Sequence, residues 1–437
     1  MLPFKEIQLT FDDRGHCLYN TQCFSPDNRW IVYDTRNHDT LISRTGSIEM
    51  VQVETGEIRT VYQTENQTEF GPGVGAASFS PTAHQVLFIH GIRNADEQNP
   101  YSFARRTGVS VKIDDPALPI FMDARDIQAP FTKGALRGGT HAHTWSGDGQ
   151  WISFTYNDYV LQQLSRDQPR VQDLRTVGIM MPEGPVEVED TVSGENHSGA
   201  LFSVVVARVT EAPTPGSDEV DKAFDEGWIG QKGYRKSDGT WQQRAIAFQG
   251  NVRDAAGNTR TEVFVLDLPG DPTRARPDLP LEGTAVSRPH VPQGVEQRRV
   301  TFTNQGVRGP RHWLRTTPDG SVIGFLAQDE QGEIQVFGVS PNGGTIRQLT
   351  HHAFSVQGPF NFSPDGRYVA YPADNSVYIT TLETGESHRI SRRFTDEQAP
   401  VGGVIWANDG SKLAYNRYVR GQAEAFLQIF LLEKPHK

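Results

Sequence analysis

The side chains most suited to chemistry in this sequence are four histidines and two arginines between residues 137 and 312. Imidazole nitrogens are good ligands for zinc, iron or manganese, and a guanidinium group binds a carboxylate through two parallel hydrogen bonds. We therefore expect a divalent metal site that also binds an acidic ligand. The expected metal ligands are His141, His143, His197 and His312, and the expected carboxylate-binding residues are Arg137 and Arg311.

A recurring turn motif, Ser/Thr-Pro-Asp-Gly or a variant of it, indicates which elements position these residues. Each copy is followed by a short apolar strand. The proline presets φ, the aspartate caps the local backbone, and the glycine permits positive φ. Self-similarity at a spacing of about 40 to 60 residues predicts a propeller or a solenoid. The copies lie at residues 24–28, 145–149, 317–320, 362–366 and 406–410, with a worn copy at 79–82.

The apolar runs between the turns predict an all-β fold, a seven-bladed β-propeller formed by residues 1–437 as one domain. The segment Glu6 to Thr10 resembles the closing strand Ile346 to Thr350, so we expect it to complete the last blade and close the ring. Six or eight blades are the alternatives if the long fourth repeat is misjudged. The predicted blades are 16–63, 70–128, 138–192, 196–303, 307–351, 356–391 and 398–433 plus strand 5–10.

The fourth predicted blade contains an insertion at residues 211–243. Ser217 is a good N-cap, so a short helix is predicted from Asp218 to Glu226, ended by Gly227. Insertions of this kind either cover one face of the ring or pack as a surface elaboration, and both alternatives are open.

Counting back from the turn aspartate places equivalent residues of each blade at the same depth. His141 and His312 each lie seven residues before their aspartate, on the innermost strand beside the central channel. His143 is expected to point the same way as His141, about 6.5 to 7 Å along the strand. His197 lies at a similar point of the fourth repeat. Asn20, Gln22 and Gln357 are the oxygen ligands expected to complete the shell.

Structural roles are the alternative for these histidines and arginines. Polar residues on a channel wall commonly bond backbone carbonyls and water, and each arginine can form a salt bridge with an acid of the neighbouring blade. Both alternatives remain open from the sequence.

The composition excludes several classes of function. A formal charge of -11 and the lack of a basic cluster argue against nucleic acid as a partner. No Gly-x-Ser-x-Gly elbow or phosphate-binding glycine loop occurs, which disfavours a serine peptidase and nucleotide cofactors. Neither a secretory signal nor an apolar membrane span is found, so a cytoplasmic location and two reduced cysteines are expected.

The rhythm Phe-Ser-Pro-Asp-Gly followed by an apolar strand resembles the TolB-type propeller repeat, which is WD40-like. Several segments resemble the YidR-like family of uncharacterised propellers, and they span both termini and the insertion. The resemblance implies the fold and transfers no established activity. The segments are Gln8–Asp12, Cys23–Asp27, Phe154–Asp158, Pro215–Glu219, Gln297–Thr303 and Pro310–Trp313.

A more distant resemblance is to the oligogalacturonate lyases, which are also TolB-type propellers. Their manganese ion is held by histidines and a glutamine, and they split oligouronides by β-elimination. His141-Ala142-His143 ahead of the Trp145 to Gly149 turn is similar to a His-x-His ligand pair of that family. The sequence departs from it upstream, where Arg137-Gly138-Gly139 offers no glutamine.

Together these observations favour a metal-dependent enzyme that acts on a small acidic sugar, with an oligouronide lyase as the specific form. In such a site the metal binds the uronate carboxylate and a base removes the adjacent proton. The base is not identifiable from the sequence. The alternative is a non-catalytic TolB-like propeller that binds a protein or peptide on one face.

Overall fold

The architecture is that of a seven-bladed β-propeller, as predicted, in which the described residues form six four-stranded antiparallel sheets and one three-stranded sheet, that of the first blade. A computed structural model describes residues 4–19, 21–168, 170–191 and 194–435. Over these residues no helix is long and apolar enough to cross a membrane.

Strand β1 belongs to the last blade, and β2 to β12 form the first three blades. β1 is Lys5–Gln8, and the first blade contains β2 (Trp30–Asp34), β3 (Ser47–Gln52) and β4 (Ile58–Gln63). The second contains β5 (Val74–Phe79), β6 (Gln85–Gly91), β7 (Arg106–Lys112) and β8 (Asp115–Phe121). The third contains β9 (Gly138–Trp145), β10 (Ile152–Asp158), α1 (Tyr159–Asp167), β11 (Thr176–Met181) and β12 (Phe202–Val205).

The remaining four blades contain β13 to β29. The chain also has two short 3-10 helices, Asp39–Arg44 between β2 and β3 and Asp396–Gln398 between β26 and β27. The fourth contains β13 (Ala223–Trp228), a hairpin of β14 (Tyr234–Arg235) and β15 (Trp241–Gln242), β16 (Ala245–Arg253), β17 (Thr259–Asp267) and β18 (Glu296–Arg299). The fifth contains β19 (Arg315–Thr316), β20 (Ile323–Gln328), β21 (Ile334–Val339) and β22 (Arg347–Gln348). The sixth contains β23 (Asn361–Phe362), β24 (Tyr368–Ala373), β25 (Ser376–Thr381) and β26 (Ser387–Arg389). The seventh contains β27 (Pro400–Trp406), β28 (Lys412–Arg420) and β29 (Ala425–Glu433).

The N-terminal strand closes the ring as predicted. β1 pairs antiparallel with β29, with Glu6 opposite Leu432 and Ile7 opposite Leu431. This pairing covers the edge that β29 would otherwise expose.

Four of the recurring turns are held by a hydrogen bond from the Ser or Thr side chain that opens the turn to the turn aspartate. Thr317 Oγ1 donates to Asp319 Oδ1 at 2.6 Å, and Ser25 Oγ donates to Asp27 Oδ1 at 2.6 Å. The same aspartate oxygen accepts the backbone N–H two residues later, as in Asp319 and Ser321. Satisfying these groups locally lets the chain reverse direction between the two inner strands of a blade.

The boundary between the third and fourth blades differs from the prediction. Residues Ala200 to Val209 were expected to begin the fourth blade, but β12 pairs with β11 and completes the third. The innermost strand of the fourth blade is β13, which contains the last four residues of the segment predicted as a helix. That helix prediction was wrong because β13 pairs with β16, and this long-range pairing overrides the local capping signal. That the chain forms one domain stays a prediction.

The β14–β15 hairpin of the insertion lies beside the Pro-Asp-Gly turns. Gln231 N donates to Pro318 O at 2.8 Å, and Arg244 Nη2 forms an ion pair with Asp148 Oδ2 at 2.6 Å. The hairpin therefore packs against the ends of the inner strands that carry the turns.

Candidate functional site

The strand that carries His141 and His143 contains a β-bulge between them. Thr144 is opposite Ser153 and His141 is opposite Thr155, so Ala142 and His143 together oppose one residue. Ala142 has a φ of 59°, which accommodates the extra residue. The bulge reverses the alternation of side chains, so His141 and His143 point to different faces. The expectation that they share a face was therefore wrong.

His143 and His197 are both buried and both connect to one buried carboxyl, Asp123. Thr140 Oγ1 donates to Asp123 Oδ2 at 3.0 Å, and Thr107 Oγ1 donates to Asp123 Oδ1 at 2.7 Å. Because each threonine hydroxyl donates its proton to Asp123, its oxygen can only accept a hydrogen bond from the neighbouring histidine. The Nε2–H of His143 therefore donates to Thr140, and the Nε2–H of His197 donates to Thr107. These distances are 2.9 Å for His143 to Thr140 and 3.2 Å for His197 to Thr107.

Burial sets the protonation of this network. It raises the pKa of Asp123 to about 6, against the hydrogen bonds from Thr107 and Gly108. It lowers the pKa of both His143 and His197 to about 3, with the charge of Arg106 adding to the effect on His143 and that of Arg125 on His197. Both imidazoles are therefore neutral near pH 7, with Nε2 committed as a donor.

His312 is fully used by the backbone around it. Its Nδ1 bonds Pro310 O at 2.9 Å, and its Nε2 accepts the N–H of Leu326 at 3.0 Å. Burial lowers the pKa of His312 to about 4, so the ring is neutral with the proton on Nδ1. This histidine joins the loop before β19 to β20, and neither nitrogen has a lone pair left for a metal.

The predicted metal shell is therefore not assembled. Within the described ranges no three His, Cys, Asp or Glu residues are grouped so that they could hold a metal ion. Gln22 Nε2 donates to Trp145 O at 3.2 Å, and the exposed Gln357 is bonded to Asn375. Asn20 lies outside the described residues. The donor set does not fit a divalent metal, because both ring nitrogens of His312 and the Nε2 atoms of His143 and His197 are bonded within the protein.

His141 differs from the other three histidines in having no hydrogen-bond partner on either ring nitrogen among the described residues, although only 4% of the residue is exposed. Burial, followed by the charges of Arg106 and Arg175, holds its pKa well below the usual range. Arg311 contributes in the same direction. The ring is thus a neutral group surrounded by guanidinium charges, an environment that suits an anion and not a metal cation.

Arg106 is the most unusual of these cations. It is 3% exposed, and its Nε and Nη2 have no hydrogen-bond partner. Nη1 donates to Tyr101 Oη at 2.9 Å, and the group stacks on Phe103 at 4.5 Å from the ring centre. No carboxylate forms an ion pair with it in the part of the chain that the structure describes. Burial lowers its pKa accordingly.

Phe103 is shared by two of the cations. Arg175 lies 4.9 Å from its ring centre and donates through Nε to Asn157 Oδ1 at 3.1 Å. The Phe103 residue is 57% exposed. An exposed aromatic ring flanked by two guanidinium groups therefore lies beside the buried His141, whose ring centre is 5.9 Å from that of Phe103.

A pocket of about 430 Å³ lies between the fourth and fifth blades, and Arg175 is one of the residues that line it. Arg311 lines it and pairs with Asp225, with 2.9 Å between Nη2 and Oδ1, while half of its side chain stays exposed. Lys222 lies 4.3 Å from the ring centre of Phe224 in the same wall. Burial, then the charge of Arg175, lowers the pKa of Lys222. We call Arg106, Arg175, Lys222 and Arg311 the cationic cluster.

Arg137, the second arginine expected to bind a ligand, is bound elsewhere. Its Nε pairs with Asp158 Oδ2 at 2.8 Å, and its two other nitrogens donate to the carbonyls of Thr284 and Ser287. It is 1% exposed. Arg137 therefore ties the long loop before β18 to the third blade, and its salt bridge is with an acid of that same blade, not of the neighbouring blade as the alternative had it.

Two acidic residues of the site, Asp225 and Glu226, were missed in the sequence because they fall in the segment predicted as a helix. A usable signal does exist. In the second and third blades the inner strand ends in an aromatic residue, Phe79 and Trp145, and Trp228 ends β13 in the same way. Trp228 therefore marks β13 as an inner strand.

The chain resembles a protein family without an assigned function and several solved propellers. Residues 73–196 match the family described as Protein of unknown function (DUF3748). The chain is 38% identical to "Uncharacterized protein YidR" of Escherichia coli (strain K12), over 93% of this chain and 94% of that one.

Solved structures with the same fold are far less similar in sequence. "Oligogalacturonate lyase in complex with manganese" has a TM-score of 0.51 at 12% identity, covering 100% of this chain and 99% of that chain. The oligogalacturonate lyase of Vibrio parahaemolyticus has a TM-score of 0.52 at 10% identity, covering 99% and 94%. The β-propeller domain of the Trilobed protease from Pyrococcus furiosus has a TM-score of 0.50 at 9% identity, covering 98% and 96%.

Proposed function

We propose that this chain, which belongs to the YidR family, is an enzyme that binds a small acidic sugar at the channel mouth. In this proposal the cationic cluster binds the ligand's carboxylate directly. Members of the family carry no assigned activity, so the proposal is built from the site.

The observation that carries the proposal is Arg106. A buried guanidinium with two unpartnered nitrogens costs several kcal/mol unless an anion meets it, by the general cost of buried unpaired charge. Arg175 and Arg311 lie close enough to act on the same imidazole, His141. A carboxylate placed among them would receive charge-assisted hydrogen bonds in a site of low polarity.

The acidic-sugar class follows from the rest of the wall. The pocket volume of about 430 Å³ is in the usual range for small-molecule sites. Aromatic rings at Phe103 and Phe224 offer apolar faces beside the cations, and the site's hydrogen-bonding groups suit hydroxyls. The likeness in fold to oligogalacturonate lyases supports an oligouronide as the specific substrate and β-elimination as the reaction.

In that reaction a base removes the proton on the carbon next to the carboxylate. The C–H electron pair becomes the new C=C bond, the C–O bond to the leaving sugar breaks, and the leaving oxygen takes up a proton. The cationic cluster would stabilise the negative charge that builds on the carboxylate. Because the donors do not fit manganese, no step here is assigned to a metal.

The rival is a TolB-like propeller that binds a protein or peptide partner without turnover. Such a partner would meet exposed groups first, whereas the unpartnered groups of Arg106 and His141 are nine-tenths buried or more. A small ligand that enters the mouth satisfies them more readily.

The test is isothermal titration with galacturonate and digalacturonate, with absorbance followed for an unsaturated product. Arg106→Met should weaken binding by about 30-fold or more, since a charge-assisted contact is lost. The matched control is Arg367→Met, whose guanidinium lies 5.8 Å from the ring centre of Tyr368 in the sixth blade.

The control should bind as the wild type does. Binding of digalacturonate without product would remove the enzymatic activity from the proposal and leave a propeller that binds acidic sugars. No binding of either sugar by the wild type would refute the proposal altogether.

A further inference from the structure

Glu226 is a buried carboxyl group for which the fold provides no obvious structural use. It is 0% exposed on β13, the innermost strand of the fourth blade. Phe224 is opposite Gln249 and Gly227 is opposite Ala247, so Asp225 and Glu226 together oppose a single residue. Asp225 has a φ of 49°. This bulge sends the two neighbouring carboxyl groups in different directions.

The two acids consequently have different partners. Asp225 pairs with Arg311 in the wall of the pocket. Glu226 Oε2 accepts a hydrogen bond from the hydroxyl of Thr155 at 2.7 Å, and Glu226 Oε1 has no hydrogen-bond partner in the part of the chain that the structure describes. Thr155 is directly opposite His141 in the third blade, so its side chain lies on the same face as that of His141.

A second buried glutamate of the same blade shows what a structural carboxyl looks like here. Glu262 is also 0% exposed, but Arg299, Thr301 and Thr303 all donate hydrogen bonds to its two oxygens. Glu226 has one donor for the same two oxygens. An unpartnered oxygen on a fully buried side chain needs a proton or a ligand to satisfy it.

The charged and titratable groups that act on Glu226 come from three blades. Asp225 opposes its ionisation and Arg311 favours it. Tyr19 of the first blade and Arg315 of the fifth also interact with its charge. Burial is the largest influence and raises the pKa of Glu226 to about 7, with the Thr155 hydrogen bond acting in the opposite direction.

We infer that Glu226 takes up a proton when an anion binds to the cationic cluster, so that binding at this site is coupled to protonation. The inference rests on the proposed function. An arriving carboxylate adds negative charge near Glu226 and competes with Asp225 for Arg311. Both effects disfavour a charged Glu226, whereas the neutral acid can donate a hydrogen bond from Oε1.

The direction of the pH dependence follows. Below about pH 6 Glu226 is already protonated in the free protein, so binding takes up no proton. Between pH 7 and 8 it is at least half ionised when free, so binding takes up a fraction of a proton. The affinity for an anion therefore falls as the pH rises through about 7.

The experiment is titration of the whole chain with galacturonate at several pH values between 5 and 8, in buffers of different ionisation enthalpy. The sugar's own carboxyl stays ionised in this range. The heats should give proton uptake near pH 7 to 8 and none near pH 5. In Glu226→Gln the uptake should vanish and the affinity should lose its pH dependence.

Two further variants separate this role from a structural one. Thr155→Val removes the hydrogen bond that favours the charged form, so the window of uptake should move to higher pH. Asp173→Asn is the matched control, because burial raises the pKa of Asp173 to about 6 near Arg175 but both of its oxygens accept hydrogen bonds. It should leave the uptake unchanged.

The failures are distinguishable. Galacturonate that binds without proton uptake, or with uptake that survives in Glu226→Gln or disappears in Asp173→Asn, overturns the inference and leaves the proposed function standing. Galacturonate that does not bind at any pH overturns both.

Discussion

His141 and His312 lie at the same distance before their turn aspartates, yet their surroundings are opposite. His312 is bonded on both ring nitrogens, to Pro310 O and Leu326 N. His141 is bonded on neither and is surrounded by guanidinium charges. Arg137 and Arg106 differ in the same way, since the first pairs with Asp158 and the second has no carboxylate partner among the described residues. A repeat thus fixes the depth of a residue, while the groups packed around it decide whether it is structural or available to a ligand.

The largest effect that tests this contrast concerns the two arginines. Arg137→Met should lower the free energy of unfolding by about 3 to 5 kcal/mol, because it leaves Asp158 as a buried unpaired charge. Arg106→Met should leave it unchanged or raise it by about 1 kcal/mol, because it removes a buried charge that has no ion pair. Chemical denaturation of both variants measures the difference. Equal destabilisation would erase the distinction between the two arginines.

The two histidines should show a smaller difference of the same kind. His312→Leu leaves Pro310 O and the N–H of Leu326 without their partner and should cost about 2 kcal/mol of unfolding free energy. His141→Leu breaks no hydrogen bond and should cost less than about 1 kcal/mol. Thermal or denaturant unfolding decides this. A cost for His141→Leu as large as that for His312→Leu would mean that His141 also has a structural role.

The acid stability of the protein should depend on its buried neutral histidines. The pKa of His312 is about 4 in the folded chain because of burial, below its ordinary value of 6.5. Between these pH values the unfolded chain binds the extra proton, so stability falls as the pH falls. The slope is at most about 1.4 kcal/mol per pH unit for one histidine. Unfolding free energies between pH 4 and 7 should show a slope shallower by that amount in His312→Leu. An identical slope in wild type and variant would contradict a neutral buried His312.

The smallest expected effect is that of manganese. Because His312 has no free nitrogen and His143 and His197 are bound to the threonines beside Asp123, added manganese should not shift the unfolding temperature. Elemental analysis of protein purified without chelator should find no stoichiometric transition metal. A stoichiometric metal that is lost in both His141→Ala and His143→Ala would restore the metal site expected from the sequence.

Much of the fold could be predicted because its signals are local. The Pro-Asp-Gly turns and the alternating strands depend on residues a few positions apart, and the match between Glu6–Thr10 and Ile346–Thr350 indicated the ring closure. The third and fourth blades were divided wrongly because the fourth lacks the turn. There a good helix N-cap at Ser217 was read in place of a strand that only pairing with β16 reveals.

Much less of the site could be predicted. The sequence identified Arg311, which belongs to the cationic cluster, and His141, which lies beside it. It nevertheless grouped His141 with three histidines that are bonded elsewhere. Arg106, Arg175 and Glu226 carry no motif. The importance of Arg106 and Glu226 comes from buried atoms that have no hydrogen-bond partner among the described residues. The absence of a partner can be seen only when the residues around such an atom are known.

The sequence by itself determined the propeller repeat, the turns and the closing strand, because each depends on short-range backbone preferences repeated along the chain. Tertiary structure alone decided which polar groups are satisfied. Hydrogen bonding and charge compensation depend on atoms brought together from different blades, such as Thr155 beside Glu226 and Arg106 beside His141. A single-residue bulge was enough to turn His143 away from His141.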